Sequence, residues 1–198
     1  ENEIHNGADD NASGTAVLIE AARQLSARKT ELRRRVLFIA FTAEEMGLVG
    51  SEHYVADPIV PLQDTVAMLN LDMVGRLRNG RLIVSGTGTA AEFSPMIARL
   101  GRMYDFGVRQ ESSGYGPSDH ATFFEKGVPV LHFFTGLHAD YHRPSDDTET
   151  LNFDGMRRIA SMLTDAVVEI SRAESRPRRQ QSEALDLFAG DDGGDSPA

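Results

Sequence analysis

The sequence predicts an α/β domain built on a mainly parallel sheet, and three observations carry that expectation. Residues 36–41, 65–71 and 128–134 are apolar runs of strand length, largely without polar alternation, the pattern of strands covered on both faces. Residues 91–104 and 153–173 instead place apolar groups at helical spacing. Phe93, Ile97 and Leu100 line the first; Met156, Ile159, Ala160, Leu163, Val167 and Ile170 line the second. The two kinds of segment alternate along the chain, which is the order of a layered α/β fold.

Residues 1–12 read as a polar loop, and Ser13 is suited to cap a helix running to about residue 28, with Val17, Leu18, Ala21, Ala22 and Leu25 on one side. A basic connector over 29–35 leads into the strand at 36–41. Residues 42–56 read as a helix that ends before Asp57-Pro58, because a residue preceding proline is pushed out of the helical region. The strand at 65–71 breaks at Asp72-Met73-Val74-Gly75. A shorter strand at 81–85, a Gly-Thr-Gly turn, the helix at 91–104 and a strand at 108–111 follow. Then come a loop at 112–117, a short helix at 119–126, the strand at 128–134, a long polar loop at 136–150 and the last helix. From residue 174 the composition turns to Pro, Arg, Gly and Asp, which divides the chain into a domain at 1–173 and a linker or disordered acidic tail at 174–198. Leu185, Leu187 and Phe188 form an apolar cluster within that tail, read as chance rather than as a docking segment.

Composition removes several classes of function. The formal net charge of -10 argues against nucleic acid as the main partner, since phosphate binding wants a basic face. Cysteine is absent, which excludes disulfides, thiolate metal sites and cysteine nucleophiles together; any metal must rest on His, Asp and Glu. No run approaches the roughly 18 apolar residues of a membrane span. No signal peptide is visible, and a chain that begins at Glu1 reads as a processed or truncated piece.

In parallel sheets the chemistry gathers at the carboxyl ends of strands, and the notable acids fall there. Glu44 and Glu45 follow the apolar run 36–41. Thr42-Ala43-Glu44-Glu45 has the spacing of a capping box, which accounts for Glu45 and leaves Glu44 unexplained. The alternative is a metal site in which one acid ligates while its neighbour, pointing about 100° away, serves as general base. Asp9 and Asp10 precede a helix, where capping and cation binding are both open readings. Asp72 is either a turn former before Gly75 or a site residue. His142 lies in a loop long enough to be functional. His120 reads as a capping or a pocket group, His53 and His132 as structural groups; His138 stays undecided.

The motifs Gly7-Ala8-Asp9-Asp10-Asn11-Ala12-Ser13-Gly14, Ala43-Glu44-Glu45-Met46-Gly47-Leu48, Asn70-Leu71-Asp72-Met73-Val74-Gly75, Ser118-Asp119-His120 and Asp140-Tyr141-His142-Arg143-Pro144-Ser145-Asp146-Asp147-Thr148 follow one another in this order. Together they resemble the co-catalytic zinc aminopeptidases, metallopeptidase family 28, over residues 5–172. The resemblance implies a three-layer sandwich with a mixed, mainly parallel sheet lacking its first strands, a peptide substrate, and a secreted or periplasmic setting. It implies two zinc ions, with Asp10 bridging them, Glu45 and His142 completing one set and Asp72 serving the other. It implies Glu44 as general base, Tyr141 as donor to the oxyanion, and Asp119 and His120 near the substrate. Relatives on this scaffold also imply two alternatives, a single-zinc glutaminyl cyclase-like transferase and a non-catalytic binding domain.

One departure limits the resemblance. The family's second metal also takes a histidine from an upstream His-x-Asp, which this chain lacks; His5 is followed by Asn6 and Gly7 and does not fit it. The expectation is therefore one tighter and one weaker metal site, in a chain that is either a fragment of a longer protein or a degraded relative.

Overall fold

A computed structural model of the chain describes residues 3–180. Four strands form one mixed sheet: β1 (Met68–Leu71), β2 (Arg81–Ser85), β3 (Gly107–Gln110) and β4 (Val130–Phe134). Their spatial order is β1-β4-β2-β3, with β1/β4 and β2/β3 parallel and β2/β4 antiparallel. The predicted mixed, mainly parallel sheet is thus present. Helices α1 (Gly14–Ala27), α3 (Phe93–Met103) and α5 (Phe153–Arg172) cover one face, and α2 (Val49–Ala56) and α4 (His120–Glu125) the other.

Alternation along each strand assigns the faces. Leu71, Leu82, Val84, Leu131 and Phe133 enter the larger core with α1, α3 and α5. Val130 and Met68 point the opposite way, to Phe123 and Phe124 of α4 and Val55 of α2. Each fully buried Phe or Leu contributes about 1.5–3 kcal/mol, and exposed ion pairs such as Arg23–Glu20 are screened by water, so this two-sided core holds the layers together.

Three local expectations change. Residues 36–41 carry no ladder bonds, and Leu37 and Phe38 are 51% and 39% exposed. The run was expected to be a strand buried on both faces. Among the described residues β1 pairs only with β4, and a cavity of about 1040 Å³ separates 36–41 from 65–71, lined by Val36, Phe38, Val66, Met68, Leu163 and Ile170. Among the described residues no strand pairs with 36–41, and pairing needs a neighbour at about 4.7–4.9 Å. Second, 42–56 is not one helix: a single turn, Glu44–Met46, precedes α2, because Ala43, Gly47 and Leu48 all take left-handed backbone angles. Thr42 therefore forms no capping box. Third, residues 174–180 run back along the domain, where the Ala91 N–H bonds to the Arg178 carbonyl (3.1 Å) and the Gln180 N–H to that of Thr89 (2.9 Å). The cluster at 185–188 lies outside the described residues.

Candidate metal centre

Because β1 and β4 are parallel, their carboxyl ends open on the same side of the sheet. Asp72 follows β1 directly, and β4 leads into the loop that carries Tyr141 and His142. Asp10 reaches the same place from the irregular turn Ala8–Ser13, in which Asp10 and Asn11 leave helical geometry and are joined by a cis peptide. Asn11 ties this turn to the strand end: its amide donates to the Leu71 carbonyl (2.9 Å) and its oxygen accepts from the N–H of Met73 (3.1 Å) and of Gly14 (3.1 Å). One side chain so grips the backbone on both sides of Asp72. Gly14 permits the approach, since a Cβ there would stand 2.4 Å from the Asn11 oxygen and 2.6 Å from the Leu71 carbonyl.

The neighbouring Asp9 joins three segments. Its Oδ1 accepts from the Gly75 N–H (2.7 Å) and the Ser13 hydroxyl (2.9 Å), and its Oδ2 meets His138 Nε2 at 3.0 Å. Behind His138 stands Arg76, 6% exposed and ion-paired with Asp140. His138 is accordingly a buried structural group.

Three of the predicted ligands meet. His142 Nε2 lies 2.8 Å from Glu45 Oε1 and 3.1 Å from Asp10 Oδ2, and the three donor atoms fall within 4.8 Å of one another. Donors about 2.0–2.1 Å from a tetrahedral zinc stand about 3.3 Å apart, so this spacing and the oxygen–imidazole chemistry fit such an ion. Tyr141 stacks on His142 at 3.8 Å between ring centres. Asp72 stands outside the triad but within the same acidic cluster. His142, Ala43 and Leu48 hold left-handed angles at φ 56°, 54° and 59°, strain of about 1–3 kcal/mol each that collects around these acids.

Burial and mutual repulsion set the electrostatics of the cluster. Burial, then the charges of Asp72 and Glu45, push Asp10 up to about 6, with His142 as the basic group that opposes them. Burial, followed by Asp72, Glu45, Asp119 and Asp10, pushes Glu44 up to about 7. Asp72 and Asp119 are also raised, chiefly by burial, while hydroxyls of Ser118 and Ser51 oppose the shift. Burial and the same acids raise the Tyr141 phenol, keeping it protonated at neutral pH. Five acidic groups repelling one another around a single imidazole form a site whose charge a divalent cation would offset.

His120 and Asp119 sit deeper than substrate contact suggests. Asp119 is 8% exposed; the His120 ring is fully buried, stacked on His132 at 4.3 Å, with no hydrogen-bond partner on either nitrogen. Burial lowers His120 to about 3 and His132 to about 4. The unfolded chain therefore holds more protons than the folded one between those values and about pH 6.5, so stability falls as pH falls through that window. His120→Phe gives up no hydrogen bond. It is expected to leave stability near neutral pH little changed and to remove about 1.4 kcal/mol per pH unit of the slope between pH 4 and 6, read by urea unfolding. An unaltered slope would contradict the buried neutral histidine.

Sequence reasoning did not assign Asn11, Asp146 or Ser118, although each stands inside a quoted motif; the signal was adjacency to Asp10 for Asn11 and to Asp119 for Ser118, and for Asp146 only its place in the motif that carries His142.

Known proteins share both the sequence and the fold. Aminopeptidase YwaD of Bacillus subtilis is 32% identical over 197 residues, covering 92% of this chain and 42% of its own. The LapA aminopeptidase structure from Legionella pneumophila superposes with a TM-score of 0.74 at 28% identity, over 86% of this chain and 48% of that one. BSAP, a zinc aminopeptidase from Bacillus subtilis, gives 0.70 at 28% identity, over 89% and 46%. A glutaminyl cyclase from Porphyromonas gingivalis shares the fold at a TM-score of 0.65 and 19% identity, over 83% of this chain and 64% of that one. The chain spans less than half the length of these aminopeptidases. The profile of peptidase family M28 matches residues 2–167, through every motif that builds the acidic centre. With its motifs in order, its fold shared and its acids converging, the chain belongs to peptidase family M28.

Proposed function

We propose that this chain carries the catalytic centre of a zinc-dependent exopeptidase that removes amino-terminal residues from peptides. The observation that carries the reading is the convergence of Asp10, Glu45 and His142 from segments up to 132 residues apart within an acidic cluster. Asp10, Glu45 and His142 would hold one zinc ion; Asp10 and Asp72 would contribute to a second. Bound there, zinc supplies Lewis acidity toward a scissile carbonyl and the attacking water.

The remaining work falls to the chain's own residues. Glu44, raised to about 7, is matched to take a proton from water near neutral pH and return it to the leaving amine. Tyr141, held protonated and 36% exposed, donates its hydroxyl hydrogen to the developing oxyanion. Asp119 flanks Glu44 and Asp72. The family likeness further supports a secreted or periplasmic setting; no helix among the described residues is long and apolar enough to cross a membrane.

A second reading, a single-zinc glutaminyl cyclase-like transferase, is favoured by the three-ligand group and by the shared fold. Mass analysis of zinc-loaded protein with a peptide bearing an amino-terminal Gln separates the two. Release of free Gln is the expected result, and cyclisation without release would replace the peptidase reading.

A further inference from the structure

Asp146 lies four residues beyond His142, is 2% exposed, and stands outside the Asp10–Glu45–His142 group. Its Oδ2 accepts the backbone N–H of Asp9 (2.9 Å) and of Asp10 (3.0 Å), while its own carbonyl accepts the N–H of Ala8 (3.0 Å). Three consecutive N–H groups of the Asp10 turn therefore end on one residue 136 positions away. On its own side, the Asp146 N–H bonds to the Arg143 carbonyl (3.1 Å), and the Arg143 N–H to the Asp140 carbonyl (3.0 Å), so tight turns connect it to the backbone that presents His142. His142 holds a left-handed angle there, which leaves its ring direction dependent on how those turns are held.

The carboxylate is costly where it stands. Its second oxygen, Oδ1, is buried without a hydrogen-bond partner, and a buried unpaired acceptor loses its hydration without compensation. Two charge-assisted bonds from adjacent amides offset that cost and fix the peptide plane from which the Asp10 side chain departs. The same residue thus governs both sides of the 3.1 Å approach between Asp10 Oδ2 and His142 Nε2.

We propose that Asp146 is a positioning residue for the cation centre: it sets the mutual placement of Asp10 and His142 through the backbone rather than by touching the ion. The inference rests on the metal reading of Asp10, Glu45 and His142. A carboxylate that only clamped two loops would affect folding stability and leave the zinc affinity of folded molecules intact.

The test is zinc competition against a chromophoric chelator at low temperature, using the full chain with Asp146→Ala and Asp146→Asn and a circular-dichroism check of folding. Asp146→Ala is expected to weaken zinc binding about 10–100-fold, the range for losing a group that orients a ligand. Asp146→Asn, whose carbonyl oxygen can accept both N–H groups, is expected to recover most of that loss. Asp146→Ser reaches at most one of them and is read in place of the alanine variant if that chain does not fold. Unaltered zinc affinity in folded Asp146→Ala or Asp146→Ser overturns the positioning role, as does Asp146→Asn binding as weakly as either. Failure of the unaltered chain to bind zinc overturns the metal reading itself, and the positioning role with it.

Discussion

Glu44→Gln, made in a longer form of this protein that hydrolyses peptides, is expected to lower kcat by about 10²–10⁴-fold while zinc content and affinity stay unchanged. Glutamine keeps the shape of the side chain and removes its capacity to accept a proton. The geometry separates Glu44 from the ligand group, since the converging triad consists of Asp10, Glu45 and His142. The acids around Glu44 give the change its specificity. Burial and four neighbouring carboxylates raise the group to about 7 in the metal-free chain. Steady-state kinetics combined with metal analysis decides the point. Loss of zinc in step with activity would place Glu44 among the ligands.

Zinc titration of the present chain is expected to reveal one tight site and, at most, one much weaker one. His142→Ala should weaken the tight site by more than the roughly 10–100-fold that follows from losing a group behind a ligand, because it removes the only imidazole of the triad. Asp72→Asn should leave that site in place, since Asp72 stands outside the triad. Affinity should fall as pH drops through about 6, because a proton then competes with the ion for Asp10, whose carboxyl is held at about that value. Zinc at 100 times its dissociation constant should stabilise the fold by about 2.7 kcal/mol, seen as a rise in Tm that His142→Ala abolishes. Two equal sites, or loss of tight binding in Asp72→Asn, would contradict this arrangement of ligands.

The fold was legible wherever a pattern is local. Helical spacing in 153–173 found α5 to within a residue, and the apolar run at 128–134 found β4, because burial of one face imposes a period that sequence displays directly. The run at 36–41 looked the same and failed. Apolar character records a demand for burial, not the presence of a strand to pair with, and the neighbouring edge of β1 lies across a cavity. The helix expected over 42–56 failed for a related reason: helix propensity in Ala43-Glu44-Glu45-Met46 is local, whereas the left-handed turns that break it place two acids against Asp10 and Asp72.

By itself, the sequence determined that the chain is a layered α/β domain without cysteine, and it marked Asp10, Glu44, Glu45, Asp72 and His142 as candidate site residues. Only the tertiary structure decided that Asp10, Glu45 and His142 share one centre while Asp72 stands beside it, that His120 is buried against His132, and that Asn11 and Asp146 hold the loops in place. The reason is physical. Periodicity and motif spacing report interactions between residues close along the chain. The centre is fixed by hydrogen bonds such as Asn11 to Leu71 and Asp146 to Asp10, which span 60 and 136 residues and exist only once the parallel strands have aligned their ends.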